Sequence, residues 1–504
     1  MKLANALSCC FIADDLFLEK RKKPAIHQLK KRMILMKRKV NFSVWTAMLA
    51  GILLLPSAVT TAQTISAEQL RKDQQDFVNL GFGMFIHYGI ATYVNDDWAD
   101  PDAPASLFNP KKLDAEQWAK AAKSANMTYG CLTTKHHSGF PIWDTKTTDY
   151  NVMNSPLKRD VVKEYADAFR KNGLKVMLYY SILDTHHELR PGQITKAHIG
   201  MVKEQLRELL TNYGTIDAMI IDGWDAPWSR ISYDDVPFEE IYMLIKSIQP
   251  RCLVMDLNAA KYPAEALFYT DIKSYEQGAG QHISKESNKL PALSCLPLQS
   301  NWFWKTSMPR QRMKNPEELV NKMLVPFNQA YCNFILNVAP NRDGQFDDNA
   351  LEALKQIGKL YNKPATLPSF PEAAMPIISH NKAKFQPANT SWSNDYAIMD
   401  FGNDDRFGTA WNSHPSVKKP WYEVELSGDK GVNLITITED GNITKYRLEY
   451  SVNGVWKTLV NGTDAGKVKV HRFNRVWADK VRIVIEEYKN TPSINEFGVY
   501  DERK

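Results

Sequence analysis

The chain has 504 residues, too many for one ordinary domain and enough for two, one of them large. Its 44% hydrophobic and 24% charged content is that of a soluble globular protein. The net charge of +6 sits in the first 62 residues, whose eleven Lys and Arg face three Asp and Glu; the rest carries −2, with no basic stripe of interleaved aromatics, which excludes a nucleic-acid partner.

The N-terminus reads as a targeting segment. Lys37-Arg38-Lys39 form a basic start, and Val44 to Leu55 form an apolar run too short to span a bilayer. Pro56 and the small residues Thr60-Thr61-Ala62 follow, as before a cleavage site. A membrane anchor is the competing reading. The expectation is a leader over residues 1–62, export to the periplasm or the outside, and no stable membrane insertion once it is removed. Cys9 and Cys10 leave with it, and Cys131, Cys252, Cys295 and Cys332 stand far apart without C-x-x-C spacing. They predict buried thiols rather than a zinc site or a disulfide framework.

From residue 63 to 363 short apolar strands alternate with amphipathic helices. Strands are predicted at Gly81–His87, Tyr129–His136, Lys175–Ser181, Ala218–Asp222, Cys252–Asp256, Asp271–Tyr275 and Phe334–Val338. Helices are predicted at Ala115–Ala125, Asp160–Lys171, Ala197–Tyr213, Phe238–Ile248 and Pro316–Ala330. This alternation predicts an α/β fold, a (β/α)₈-like TIM barrel rather than a doubly wound sheet, since no Gly-rich phosphate loop follows the first strand. Residues 364–378, with their prolines, read as a linker. Residues 379–504 carry strand-like runs at Trp421–Leu426, Leu434–Thr438, Lys445–Ser451, Lys467–His471 and Lys480–Ile485. Asp440-Gly441-Asn442 and Asn453-Gly454 supply turns, which predicts an all-β sandwich.

Polar residues gather where the barrel strands end, the face on which such barrels do chemistry. Asp222 closes an apolar strand, followed by Gly223 for a sharp turn and Trp224 as an apolar face for a sugar ring. A carboxylate there is costly to bury unless paired or used, so a structural ion pair or helix cap is the alternative. His136-His137 suit hydrogen bonds to substrate hydroxyls better than a metal, whose ligands keep helical or two-residue spacing. His186-His187 read as surface or rim. Retaining glycoside hydrolysis needs two carboxyl groups flanking the bond: an ionised nucleophile, and an acid of raised pKa. Asp222 suits the first role. Glu276 suits the second, with Glu286 and Asp271 as competitors.

These segments resemble the family 29 α-L-fucosidases. Phe82-Gly-Met-Phe-Ile-His87-Tyr-Gly89 is similar to their opening strand, and Lys135-His136-His137-Ser138-Gly139-Phe140 to their Lys-His-His-Asp-Gly-Phe element. Leu178-Tyr179-Tyr180-Ser181, Ile220-Ile-Asp222-Gly-Trp224 and Asn333-Phe-Ile-Leu-Asn337 with Asp343-Gly344 complete the set in the family's order. The resemblance implies Asp222 as nucleophile and His87, His136 and His137 as fucose ligands. It also implies Tyr179, Trp98 and the aromatic Trp302-Phe303-Trp304 as pocket residues; Trp98 follows Asp97 where many members have Glu-Trp. Two departures stand out. Leu293-Ser294-Cys295 occupies the region of the family's acid Glu, and Leu257-Asn258 replaces an Arg. The C-terminal domain resembles discoidin-type (coagulation factor 5/8 type C) modules, several of which bind carbohydrate. It does so through Ala397, Asp400, Thr409-Ala410-Trp411, Trp421, Trp456 and Glu496-Phe497.

Together these features predict an exo-acting retaining α-L-fucosidase that releases terminal fucose from glycans by double displacement, with no cofactor and no metal. A weakly catalytic glycan-binding protein, or a hydrolase for a related sugar such as L-galactose, is the alternative.

Overall fold

The computed structural model describes residues 66–502, apart from 225, 227, 259–269, 277–282, 372–375, 378, 395–398, 407 and 467. The predicted leader and part of the predicted linker therefore lie outside the described residues. No described helix is long and apolar enough to cross a membrane.

Eight parallel strands make the barrel: β1 (Phe82–Ile86), β2 (Tyr129–Lys135), β3 (Lys175–Ser181), β4 (Ala218–Asp222), β5 (Leu253–Asp256), β6 (Lys273–Glu276), β7 (Ala292–Pro297) and β8 (Cys332–Asn337). Their order is β5-β4-β3-β2-β1-β8-β7-β6. The ring closes through Asp271, just before β6: its N–H donates to the Val254 carbonyl, and its carboxylate accepts the Val254 N–H. β1, β2, β4, β5 and β8 are buried on both faces; β1 reads as a continuous apolar run, as do β4 and β5 up to their closing Asp, whereas β2 and β8 also carry polar residues. Phe85, Cys131, Met177, Tyr179, Ile220, Met255, Leu293 and Ile335 fill the interior as a packed core.

Helices at Ala115–Ser124, Val161–Lys171, Lys196–Asn212 and Phe238–Ile248 wrap the outside. Asp114, Asp160 and Thr195 cap the first three by accepting an N–H from the first turn. The predicted Pro316–Ala330 helix is broken instead into α, π and α pieces ending at Gln329, with Pro326 at the start of the last. Helices at Ala67–Val78, Ala91–Val94 and Asp348–Leu360 lie beyond the predicted set, as does strand β7.

After the barrel come β9 (Ala388–Thr390), β10 (Trp411–Asn412), β11 (Trp421–Glu425), β12 (Gly431–Thr438), β13 (Ile443–Val452), β14 (Val455–Thr463), β15 (Val468–Trp477), β16 (Lys480–Tyr488), β17 (Ser493–Ile494) and β18 (Glu496–Tyr500). They pair antiparallel into sheets β14-β13-β16-β11-β9 and β15-β12-β18, with β10-β17 apart. Asn453 and Gly454, at φ 51° and 80°, form the two-residue turn joining β13 to β14. Ile377, Leu434 and Tyr500 pack into the barrel's outer core. Lys384 pairs with Asp234 of the loop after β4 at 3.0 Å.

Candidate active site

A cavity of about 290 Å³ opens at the C-terminal ends of the barrel strands. It is lined by Phe85 on β1 and His87 just after it, His136 and His137 after β2, Tyr179 on β3, Asp222 on β4, Leu257 after β5, and Glu276 on β6; Asp96, Asp97, Trp98, Trp228 and Trp302 come from loops.

Asp222 is buried, and both of its oxygens are held. The Tyr179 hydroxyl donates to Oδ2 at 2.6 Å, and the Asn258 amide donates to Oδ1 at 3.2 Å. Burial pushes its pKa up to about 7 against those two hydrogen bonds, and repulsion from Glu276 adds to the rise. No Lys or Arg pairs with it among the described residues; the nearest basic group is His137, with Nε2 at 3.8 Å. Gly223, at φ 115°, turns the chain away from the strand where a Cβ would come within 2.8 Å of Ile182. Glu276 is also raised by burial, partly offset by a hydrogen bond from the Trp302 side chain.

The histidines are neutral, because burial carries His87 and His137 down to about 3 and His136 well below its ordinary value. Their hydrogen bonds fix which nitrogen keeps the proton. Asn337 Nδ2 donates to the Trp302 carbonyl, so its Oδ1 faces His87 and accepts both the His87 backbone N–H and Nδ1–H, the latter at 2.8 Å. The Ser181 hydroxyl donates to the Leu183 carbonyl, so its oxygen accepts Nδ1–H of His137 at 2.8 Å. In both rings Nε2 is therefore left as an acceptor. A ligand that satisfies them must bring hydroxyl donors.

The layer behind fixes the two histidines. Lys135 and Asp184, both fully buried, pair at 3.0 Å. Asp184 also accepts Nδ1–H and the backbone N–H of His187, and Thr185 donates twice to the His137 carbonyl. Gly139, at φ 81°, lies where a Cβ would fall 2.0 Å from Asp184, so the His136-to-Gly139 turn closes over the ion pair only with glycine. His186 stacks on Tyr150 at 3.8 Å. The second histidine pair thus belongs to this supporting layer, not to the rim expected from sequence.

Seven of the expected site residues line the cavity besides Asp222: Glu276, His87, Trp98, His136, His137, Tyr179 and Trp302. Phe303 stands one layer out, its ring edge-on to His87 and His136 at 5.4 and 4.9 Å. Trp224 corrects the expectation. It is fully buried away from the cavity, donates Nε1–H to the Val236 carbonyl at 2.9 Å and packs edge-on against Phe238. It anchors the loop after β4 and offers no face to a sugar. Of the competing acids, Asp271 closes the barrel wall and Glu286 bonds Ser284 outside the cavity.

The sequence reading passed over three contributors. Asp97 accepts the backbone N–H groups of Trp302 and Phe303, tying that loop to the mouth. Asn258 bonds Asp222 from the position where the resemblance led one to expect Arg. Trp228 lines the mouth, four residues beyond Trp224; the spacing Asp222-Gly-Trp-x-x-x-Trp228 was its one signal. The expected acid position on β7 is apolar, with Leu293 and Cys295 buried in the barrel interior. Among the described residues no three His, Cys, Asp or Glu side chains gather as a metal set.

The alpha-L-fucosidase family model matches residues 98–364, and the F5/8 type C domain matches residues 380–497. Alpha-L-fucosidase 1 of Arabidopsis thaliana is 26% identical over 455 residues, covering 83% of this chain and 84% of its own. The plasma alpha-L-fucosidase of Homo sapiens is 26% identical over 266 residues, covering 50% and 54%. Among solved structures, alpha-L-fucosidase isoenzyme 1 from Paenibacillus thiaminolyticus superposes with a TM-score of 0.51 at 25% identity, over 84% of this chain and 100% of that one. With a family model spanning more than half its length and a site built of carboxylates and neutral histidines, this chain belongs to the alpha-L-fucosidase family.

Proposed function

We propose that the protein is an exo-acting α-L-fucosidase that works with retention, Asp222 attacking the anomeric carbon and Glu276 serving as acid and then base. One observation carries the reading: Asp222 lines a cavity of one-sugar size with both oxygens held by donors, and a second carboxyl, Glu276, lines the same cavity. The two donors favour its ionised form and aim it. Once Asp222 is charged, its repulsion keeps the proton on Glu276, already favoured by burial. Attack by Asp222 forms the glycosyl ester as the Glu276 proton passes to the departing oxygen. Water deprotonated by Glu276 then cleaves the ester from the opposite face. Neutral His87 and His137 accept sugar hydroxyls through Nε2, which sets which hydroxyls must point at them. No step needs a metal or a cofactor.

The leader over residues 1–62 supports export, on the sequence alone. The test is hydrolysis of an aryl α-L-fucoside by the full chain beside the matching α-L- and β-D-galactosides. Turnover confined to the fucoside is the expected result. Turnover of the α-L-galactoside alone would keep the mechanism and change the sugar; binding of fucose without turnover would favour a glycan-binding protein.

A further inference from the structure

The chain leaving β3 runs between the His137 turn and the strand that ends in Asp222, and it bonds to both. Ser181 pairs with Asp222 in the parallel ladder, and the Ile182 N–H donates to the Asp222 carbonyl at 2.8 Å. On the other side the Ser181 hydroxyl meets Nδ1 of His137 at 2.8 Å. Thr185 adds its N–H and its hydroxyl, both donated to the His137 carbonyl, at 2.9 and 3.0 Å. One short segment thus registers the imidazole and the carboxylate together.

That register leaves two acceptors facing each other: His137 Nε2 stands 3.8 Å from Oδ2 of Asp222. The far side of the ring decides this. Ser181 is fully buried and has one hydroxyl proton, which it gives to the Leu183 carbonyl at 2.8 Å. A carbonyl cannot donate, so the Ser181 oxygen accepts from Nδ1, and the neutral imidazole holds its single proton there. Among the described residues Ser181 alone bonds a ring nitrogen of His137. Asp222 draws a proton toward the ring, with Glu276, Asp96 and Asp97 along the same cavity wall. Burial opposes a second proton, as do His87 and Lys135, the latter paired with Asp184; His136 stands beside the ring at 3.9 Å. The ring stays neutral, so what can change is the nitrogen that carries the proton.

The opposite placement would work against catalysis. With the proton on Nε2 the ring would donate to Asp222 and close a His–Asp pair, the arrangement that holds an imidazole in place in acyl transfer. The carboxylate would have to shed that donor before attacking carbon, and a sugar hydroxyl would lose its acceptor. We propose that Ser181 is the positioning residue that prevents this pair: by accepting Nδ1–H it keeps the proton on the side of His137 away from Asp222. Nε2 is then left to a sugar hydroxyl, and the nucleophile has no third donor beside Tyr179 and Asn258. The inference rests on the fucosidase reading above for the role of Asp222, whereas the proton placement does not.

The test reads the His137 ring nitrogens by NMR of the full chain carrying isotope-labelled histidine, at pH 8, where Asp222 is charged. The His137 signals are those lost in His137→Gln. The unaltered protein should show the proton on Nδ1, and Ser181→Ala should show it on Nε2. Because the new donor favours the charged carboxylate, the acid limb of kcat/KM on an aryl α-L-fucoside should move to lower pH in Ser181→Ala. Its kcat should fall about tenfold or more, the scale of one charge-assisted hydrogen bond. Ser181→Thr, which keeps the hydroxyl, should retain the proton on Nδ1 and the original limb. A proton that stays on Nδ1 in Ser181→Ala would overturn the proposal, as would one that moves to Nε2 with kcat unchanged. An unaltered protein with the proton on Nδ1 but no turnover would sink the fucosidase reading instead, so the two failures are told apart.

Discussion

The barrel has a cavity at each end, and the larger one is the quieter. At the N-terminal ends of the strands a space of about 750 Å³ is lined by Asp73, Lys175, Asp217 and Arg251 among others. There the charges answer one another: Arg251 pairs with Asp73 at 2.6 Å, and Lys175 with Asp217 at 2.9 Å. At the C-terminal ends the cavity is less than half that size, and Asp222 and Glu276 are both forced toward the protonated form. Volume does not single out the site. What does is a buried carboxylate held by neutral donors with no cation beside it among the described residues, which is poised to titrate rather than neutralised. A third buried carboxyl, Glu496 in the sandwich, is pushed up to about 8, again mainly by burial. Its oxygens are both taken up structurally, accepting from the Asp405 backbone N–H and the Asn381 amide. A shifted pKa alone, then, does not make a catalyst.

Asp222→Asn should break the comparison most sharply. It should cut kcat by ~10⁴ or more, the scale of losing an essential nucleophile, while stabilising the fold at alkaline pH. The sign follows from the raised pKa. The folded chain keeps its proton up to about pH 7, whereas the unfolded chain releases it near 3.8, so wild-type stability falls as pH rises through that interval. The variant escapes this loss, worth up to roughly 4 kcal/mol above pH 7. Denaturant melts at pH 4 and pH 8 should show the variant's advantage only at pH 8. Glu276→Ala should slow fucosides of poor leaving groups by ~10²–10⁴-fold and activated aryl fucosides far less; equal losses on both would remove it from the acid role.

Tyr179→Phe comes next in size. Losing a hydrogen bond to a charged oxygen should cost ~10–100-fold in kcat/KM. It should also move the acid limb, expected near pH 7 where Asp222 ionises, to higher pH, because the lost donor favoured the charged form. A limb that stayed in place would mean another group titrates there. At the other end of the barrel Arg251→Ala should leave kcat/KM unchanged and cost about 1–3 kcal/mol in a thermal melt, because the guanidinium is exposed but the Asp73 carboxylate it bonds twice is buried.

Much of this architecture can be read along the chain, because its signals are local. Val176 to Tyr180 and Ala218 to Ile221 are uninterrupted apolar runs, and their strands begin and end where expected. Strand β7 escapes notice because Ser294 and Pro297 break the apolar run, and its pairing with β6 and β8 supplies what propensity does not. The Pro316–Ala330 stretch keeps helical spacing on paper, yet Pro326 and the π segment interrupt it. In the site, carboxylates and histidines at strand ends are visible as chemistry, whereas orientation is not. Trp224 and Trp228 look alike in sequence. Only the turn at Gly223 and the bond to Val236 send the first inward and leave the second at the mouth. Likewise nothing in the sequence tells that Ser181 and Asn337 set the proton positions of His137 and His87.

The account turns on covalent attack by Asp222, and trapping the intermediate tests it most directly. The full chain would be incubated with 2-deoxy-2-fluoro-α-L-fucosyl fluoride, whose fluorine slows both steps while its leaving group keeps the first accessible. Intact mass and peptide mapping would follow. A single added deoxyfluorofucosyl group on the peptide containing Asp222, absent in Asp222→Asn, is the predicted result. An active enzyme that acquired the label on another carboxylate would contradict the account.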